Sequence, residues 1–131
     1  MPKLINNAEV LAVFDGTPVT DRSTAEVEIP GIQIDKTANM YIWVGDVLTY
    51  TIRIKNIDED ANAAQIVFTD TIAVDFAKLV LSSVTVDGIP ITVGAGFTYD
   101  SATGRLRITA IDDIPAGSGE VRTITFQVAK V

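Results

Sequence analysis

The chain has 131 residues, enough for one domain with an apolar core and too few for two ordinary ones. A hydrophobic content of 47% with 21% charged residues is typical of a folded chain. The net charge of −7 repels phosphate backbones, so we expect no nucleic-acid partner. Because the chain has no histidine and no cysteine, imidazole and thiolate catalysis, disulfides, zinc ribbons and metal sites that need imidazole are excluded. We expect no cofactor.

The apolar runs are too short for a membrane span, and the first twenty residues lack a basic region followed by an apolar block. We therefore expect no membrane insertion and no secretory signal in this chain.

The first predicted element is a β-hairpin within residues 1–30. It consists of "KLINNAEVLAVF", the turn "DGTP" and "VTDRSTAEVEI". Strand alternation places Asn6 on the same face as Ala8 and Val10, so an amide interrupts a small apolar face. The Pro-Gly pair at 30 and 31 predicts a boundary, after which a second domain covers residues 31–131.

The second segment alternates apolar and polar residues in several short runs. The clearest are "VLTYTIRIKN", "RLRITAI" and "VRTITFQVAKV", separated by turns such as "VGD", "DG", "SATG" and "PAGSG". No stretch shows a sustained helical period. The pattern predicts an all-β fold, an immunoglobulin-like antiparallel β-sandwich.

The series "IDKTANMYIWVGDVLTYTIRIKN", "IVFTDTI", "SSVTVDG", "FTYDSATGRLRI" and "IPAGSGEVRTITFQV" resembles the DUF11 bacterial surface repeats and their isopeptide-forming fimbrial relatives. The resemblance spans roughly residues 31–131. It departs at Ile72 and Ala73, where the family usually has Leu-Pro, and at "MYIWVGD". A family unit normally ends in a strand like "I-x-N-x-A-x-V", and here the matching "INNAEV" precedes the domain. The chain thus resembles one repeat in a shifted frame.

Three polar residues fall where alternation predicts the core, namely Asn6, Lys36 and Asp70. The resemblance implies that Lys36 attacks the side chain of Asn6 while Asp70 acts as a proton shuttle. Burial disfavours both charges of a Lys–Asp pair, which leaves a neutral, nucleophilic amine. The expected product is an isopeptide cross-link formed once per molecule, without turnover. The alternatives are a lysine that extends to water, an aspartate that caps a turn, and a frayed terminal asparagine.

The acidic turn "IDEDAN" offers Asp58, Glu59 and Asp60 as weak calcium candidates, because hard cations prefer clustered oxygens. Its spacing matches no standard calcium loop, and a solvated acidic turn is the favoured interpretation, so we expect no metal.

These observations predict a non-enzymatic structural subunit of an extracellular or cell-surface assembly. Its partner would be itself, as a homo-oligomer or a fibre built by strand donation and locked by the Lys36–Asn6 bond. Other surface proteins are further candidate partners. The alternative is a single repeat of an adhesin or stalk, acting as a spacer or binding module. An enzyme acting on carbohydrate would use paired carboxylates, but none lies in a recognisable motif.

Overall fold

The computed structural model describes residues 3–28 and 31–131. These form two compact units, divided after Gly31, and each is described by itself.

The first unit is a long antiparallel hairpin. Strands β1 (Lys3–Phe14) and β2 (Thr17–Glu28) pair from Lys3 with Glu28 to Phe14 with Thr17. Asp15 and Gly16 form the turn with φ values of 49° and 80°. A two-residue hairpin turn of this kind requires positive φ at both positions, which an Asp-Gly pair tolerates well.

The two faces of the hairpin differ in chemistry. One face carries a hydrogen bond of 2.7 Å from the Thr24 hydroxyl to the Asn7 side chain and an ion pair of 3.3 Å between Arg22 and Glu9. The opposite face of β1, here called the small-residue face, places Asn6 in line with Ala8, Ala12 and Phe14. All of the hairpin side chains that the structure describes are exposed, Phe14 by 66%.

The second unit contains two antiparallel sheets. The smaller has the strand order β5 (Phe68–Thr71), β10 (Arg105–Ile108), β9 (Phe97–Asp100). The larger has the order β3 (Ile32–Ala38), β4 (Val47–Asn56), β11 (Val121–Lys130), β7 (Thr85–Val86), β8 (Ile89–Pro90), and β6 (Ala77–Leu79) also pairs with β11. One turn of 3-10 helix covers Leu81–Ser83. Among the described residues no helix has the length and apolar character to cross a membrane.

Both sheets contribute to one apolar core. The residues of that core with no exposed surface are Ile52, Val84, Leu106, Ile108, Ile114, Ile124 and Phe126. Alternation explains the pattern, because β4, β10 and β11 direct every second side chain inward. The predicted all-β, antiparallel and sandwich-like architecture is confirmed.

Strand β3 departs from this pattern. Its register pairs Ile34 with the buried Ile54, so Ile34 lies on the core side of the sheet. Nevertheless every residue of β3 is exposed, and Ile32 and Ile34 are 45% and 62% exposed. The reason is that β3 is the edge strand of the larger sheet, while β5 is the last strand of the smaller sheet on this side. The predicted burial of the Lys36 face of this strand is therefore wrong, although the face lies on the core side of the sheet.

Candidate functional site

Two of the three predicted site residues meet across the two sheets. Lys36 of β3 places Nζ 2.5 Å from Oδ2 of Asp70 on β5. Oδ1 of Asp70 accepts the backbone N–H of Thr71 at 2.8 Å, which holds the carboxylate in place. The ammonium of Lys36 also lies 4.5 Å from the centre of the Tyr50 ring. At this distance a cation–π attraction contributes to the position of the lysine.

The pair is accessible to solvent. The Lys36 side chain is 40% exposed and that of Asp70 is 17% exposed. Both line a cavity of about 330 Å³, together with Trp43, Tyr50, Phe76 and Ala77. The expected burial is thus only partial for Asp70 and is not observed for Lys36. A surface ion pair of this kind contributes little stability, about 0–1 kcal/mol.

Asn6 belongs to the hairpin unit. It lies on the small-residue face, whereas Asn7 lies on the other face, and Asn6 is exposed rather than buried. Its partner across the hairpin is Ala25, so no polar neighbour faces it directly. The cross-link between Asn6 and Lys36 stays a prediction.

Tyr50 is the residue of this site that the sequence interpretation missed. Strand alternation in "VLTYTIRIKN" places Tyr50 on the apolar, inward face of β4. In the structure Tyr50 is half-buried, and its ring centroid lies 5.5 Å from that of Phe126. The available signal was the strand pairing, because Lys36 lies opposite Ile52 and hence diagonal to Tyr50. Diagonal neighbours lie within reach of long and aromatic side chains.

The acidic turn at 57–62 has a structural role. Asp58 is only 4% exposed, and its Oδ1 accepts the backbone N–H groups of Asp60 at 2.9 Å and Ala61 at 3.1 Å. The hydrogen bond from Asp60 is the main cause that holds the pKa of Asp58 below its ordinary value of 3.8. Glu59 and Asp60 are exposed.

No group of three or more acidic residues that could hold a metal ion occurs in the described part of the chain. The structure therefore gives no support to calcium at Asp58, Glu59 and Asp60. The expectation of a solvated turn is wrong for Asp58, because its side chain is directed inward onto backbone donors.

Asp58→Ala is expected to lower the midpoint of thermal unfolding at pH 7, because two backbone donors lose their acceptor. Since the folded pKa is depressed, the contribution of Asp58 is complete above the unfolded value of 3.8 and disappears as the pH falls through the lower folded value. The difference between the variant and the parent should therefore shrink as the pH falls below 3.8 and through the lowered folded pKa of Asp58. Differential scanning calorimetry across this range, with Glu59→Ala as the exposed control, measures the effect. Equal midpoints for parent and Asp58→Ala at pH 7 would contradict the assignment.

Comparison with protein-family models, with curated proteins and with solved structures gives no match for this chain. The functional argument therefore depends on the geometry of the two units.

Proposed function

We propose that this protein is a non-enzymatic structural subunit that assembles with copies of itself by strand donation, as part of an extracellular or cell-surface structure. The observation that carries the proposal is that one chain contains two incomplete surfaces, an exposed apolar hairpin and an uncovered sheet edge. The hairpin would supply strands to the uncovered sheet edge, and the sheet would cover apolar side chains of the hairpin.

The hairpin needs a partner for thermodynamic reasons. A two-stranded hairpin is at best marginally stable in water without packing against other elements. On the small-residue face, Phe14 of β1 and Val19 of β2, which pairs with Ala12, are 66% and 48% exposed. Burial of such side chains contributes roughly 1.5–3 kcal/mol each. Packing on a sheet would thus stabilise the hairpin substantially.

The sandwich-like unit offers the complementary surface. Ile32 and Ile34 are exposed although they lie on the core side of β3. An uncovered sheet edge is a template for pairing with another strand. The addition of strands at this side would cover the isoleucines and extend the core, which is the physical basis of strand-addition complexes.

Donation from one copy to the next is a head-to-tail contact. Such a contact propagates into a fibre unless its geometry closes a ring. The net charge of −7 favours solubility of the free subunits. The resemblance to DUF11 surface repeats supports an immunoglobulin-like topology completed by the strand that contains Asn6, and a surface location.

The Lys36–Asp70 pair supports a covalent lock on this assembly. Nζ of Lys36 would attack Cγ of Asn6 in the donated strand, the new C–N bond would replace the bond to Nδ2, and ammonia would leave with a proton passed through Asp70. The pair is partly open before donation, and the added strand would exclude water from it. The proximity of the groups would lower the barrier by roughly 7–11 kcal/mol.

Sedimentation velocity over a range of protein concentrations tests the assembly. We expect oligomers that grow with concentration, and we expect Ala8→Asp to abolish them because it places a charge on the small-residue face. Asn7→Asp adds the same charge one residue away on the opposite face and should leave assembly intact. A parent protein that remains monomeric at all concentrations would overturn the proposal and favour the spacer module.

Denaturing gels and intact-mass spectrometry on the same samples test the covalent lock. A ladder whose bands lack one ammonia per joint is expected for the parent protein. Lys36→Arg keeps the positive charge but should remove the ladder without removing the oligomers. Oligomers without a ladder in the parent would show that the assembly is non-covalent.

A further inference from the structure

We propose that the acceptor site is the free edge of β5, where β1 of a second copy pairs antiparallel with Asn6 opposite Asp70. This inference rests on the proposed strand donation and specifies its site, direction and register. The strand order of the smaller sheet would then be β2, β1, β5, β10, β9, with β2 and β1 supplied by the neighbouring molecule.

The choice of β5 follows from which face is uncovered. Strands β3 and β5 are each bonded to only one neighbouring strand in the described part of the chain. A strand added to β3 would widen the larger sheet and leave Ile32 and Ile34 uncovered. A strand added to β5 would extend the smaller sheet over β3, because the contact between Lys36 and Asp70 shows that these two strands face each other. Only the second arrangement buries the exposed isoleucines.

The directions of the strands are known from contacts at one end of the unit. β4 ends at Asn56, whose side-chain amide donates to the carbonyl of Ile114 at 3.0 Å. The chain reaches Ile114 soon after Ile108, the last residue of β10, so β10 runs toward the same end as β4. Because β3 is antiparallel to β4 and β5 is antiparallel to β10, both β3 and β5 run away from this end.

The register follows from polarity. Asn6 is the single polar residue of its face of β1, and the Lys36–Asp70 pair is the polar feature of the uncovered core side. A polar group that becomes buried needs a hydrogen-bonding partner. With Asn6 opposite Asp70, the antiparallel register places Ala8 opposite Phe68, a small residue against a large one, and places Asn7 opposite Thr69 on the outer face.

The same register requires donation between molecules. Glu28, the last residue of β2, pairs with Lys3, which precedes Asn6 by three residues. In the antiparallel register, the end of β2 would therefore lie roughly 10 Å past Asp70 in the direction of Thr71. Ile32 begins β3 four residues before Lys36, roughly 13 Å in the other direction. The separation of roughly 23 Å exceeds the span from 28 to 32, which is at most about 15 Å for four Cα steps. The hairpin cannot occupy the site of its own chain in this register.

Disulfide trapping tests the site directly, since the chain has no cysteine. The double variant Asn7→Cys with Thr69→Cys should form a ladder on a non-reducing denaturing gel after mild oxidation, in the Lys36→Arg background that removes the isopeptide ladder. Directly opposite residues satisfy the Cα separation that a disulfide needs. The matched controls are Leu11→Cys with Thr69→Cys, which is out of register, and Asn7→Cys with Asp35→Cys, which probes the edge of β3.

The outcomes separate this inference from the proposed function. A ladder confined to the Asn7 and Thr69 variant supports the site and register. An internal disulfide in a monomer, or a ladder confined to the Asp35 or Leu11 variant, overturns the inference while strand pairing itself stands. Concentration-dependent oligomers with no disulfide in any variant overturn the site alone. Absence of oligomers in sedimentation overturns both.

Discussion

Gly104→Ala is expected to lower the free energy of unfolding by at least about 3 kcal/mol. Gly104 lies in the turn between β9 and β10 with a φ of +79°, and a Cβ there would lie 1.9 Å from the carbonyl oxygen of Ile72. That carbonyl belongs to backbone that is already fixed, because the N–H of Ile72 donates to the carbonyl of Gly104 at 2.8 Å. The clash cannot be relieved by a side-chain rotation, so the end of β5 must move.

Gly88→Ala is the matched control for this substitution. Gly88 has a φ of +80°, but nothing lies within 4 Å of its Cβ position. It should therefore show only the backbone strain, about 1–2 kcal/mol. Urea unfolding followed by circular dichroism gives both values. If the two variants are equally destabilised, the close approach at Ile72 does not determine the stability of this turn.

Phe126→Ala is expected to destabilise the protein by about 3–5 kcal/mol. The Phe126 side chain has no exposed surface and lies in β11, the strand that pairs with β4, β6 and β7. Its removal leaves a cavity in the middle of the larger sheet and takes away the ring that packs on Tyr50. Because Tyr50 also contacts Lys36, the loss would extend to the candidate site.

Phe76→Ala provides the comparison, since the same ring is removed from a position that is 73% exposed. A change within about 0.5 kcal/mol is expected there. Thermal and urea unfolding of the two variants measure the difference. Comparable losses in both would mean that the core is centred elsewhere than the structure indicates.

Much of the sandwich-like unit was predictable from local pattern. Alternation in β4, β10 and β11 identified which side chains are buried, because an extended strand sends successive residues to opposite faces whatever its surroundings. The hairpin turn was equally predictable, since Asp-Gly is among the few pairs that accept positive φ at both positions. Turn chemistry and period-2 alternation are properties of short stretches and need no tertiary information.

The exposure of β3 was not predictable in this way. Its isoleucines alternate as regularly as those of β4, yet they are exposed because cover depends on the width of the opposite sheet. Asp58 is the converse case, a charged residue in a polar turn whose buried carboxylate accepts the backbone N–H groups of Asp60 and Ala61. Neither property is encoded in the residue types alone.

By itself the sequence determined an all-β chain, a hairpin followed by a second unit, and two polar residues, Lys36 and Asp70, on the core side of their strands. It determined these because they follow from the period of a strand and the φ preferences of turn residues. The tertiary structure alone decided that Lys36 and Asp70 touch across two sheets and that the core side of β3 is left open. Those facts depend on strand order and sheet width, which arise from contacts between residues distant in the chain.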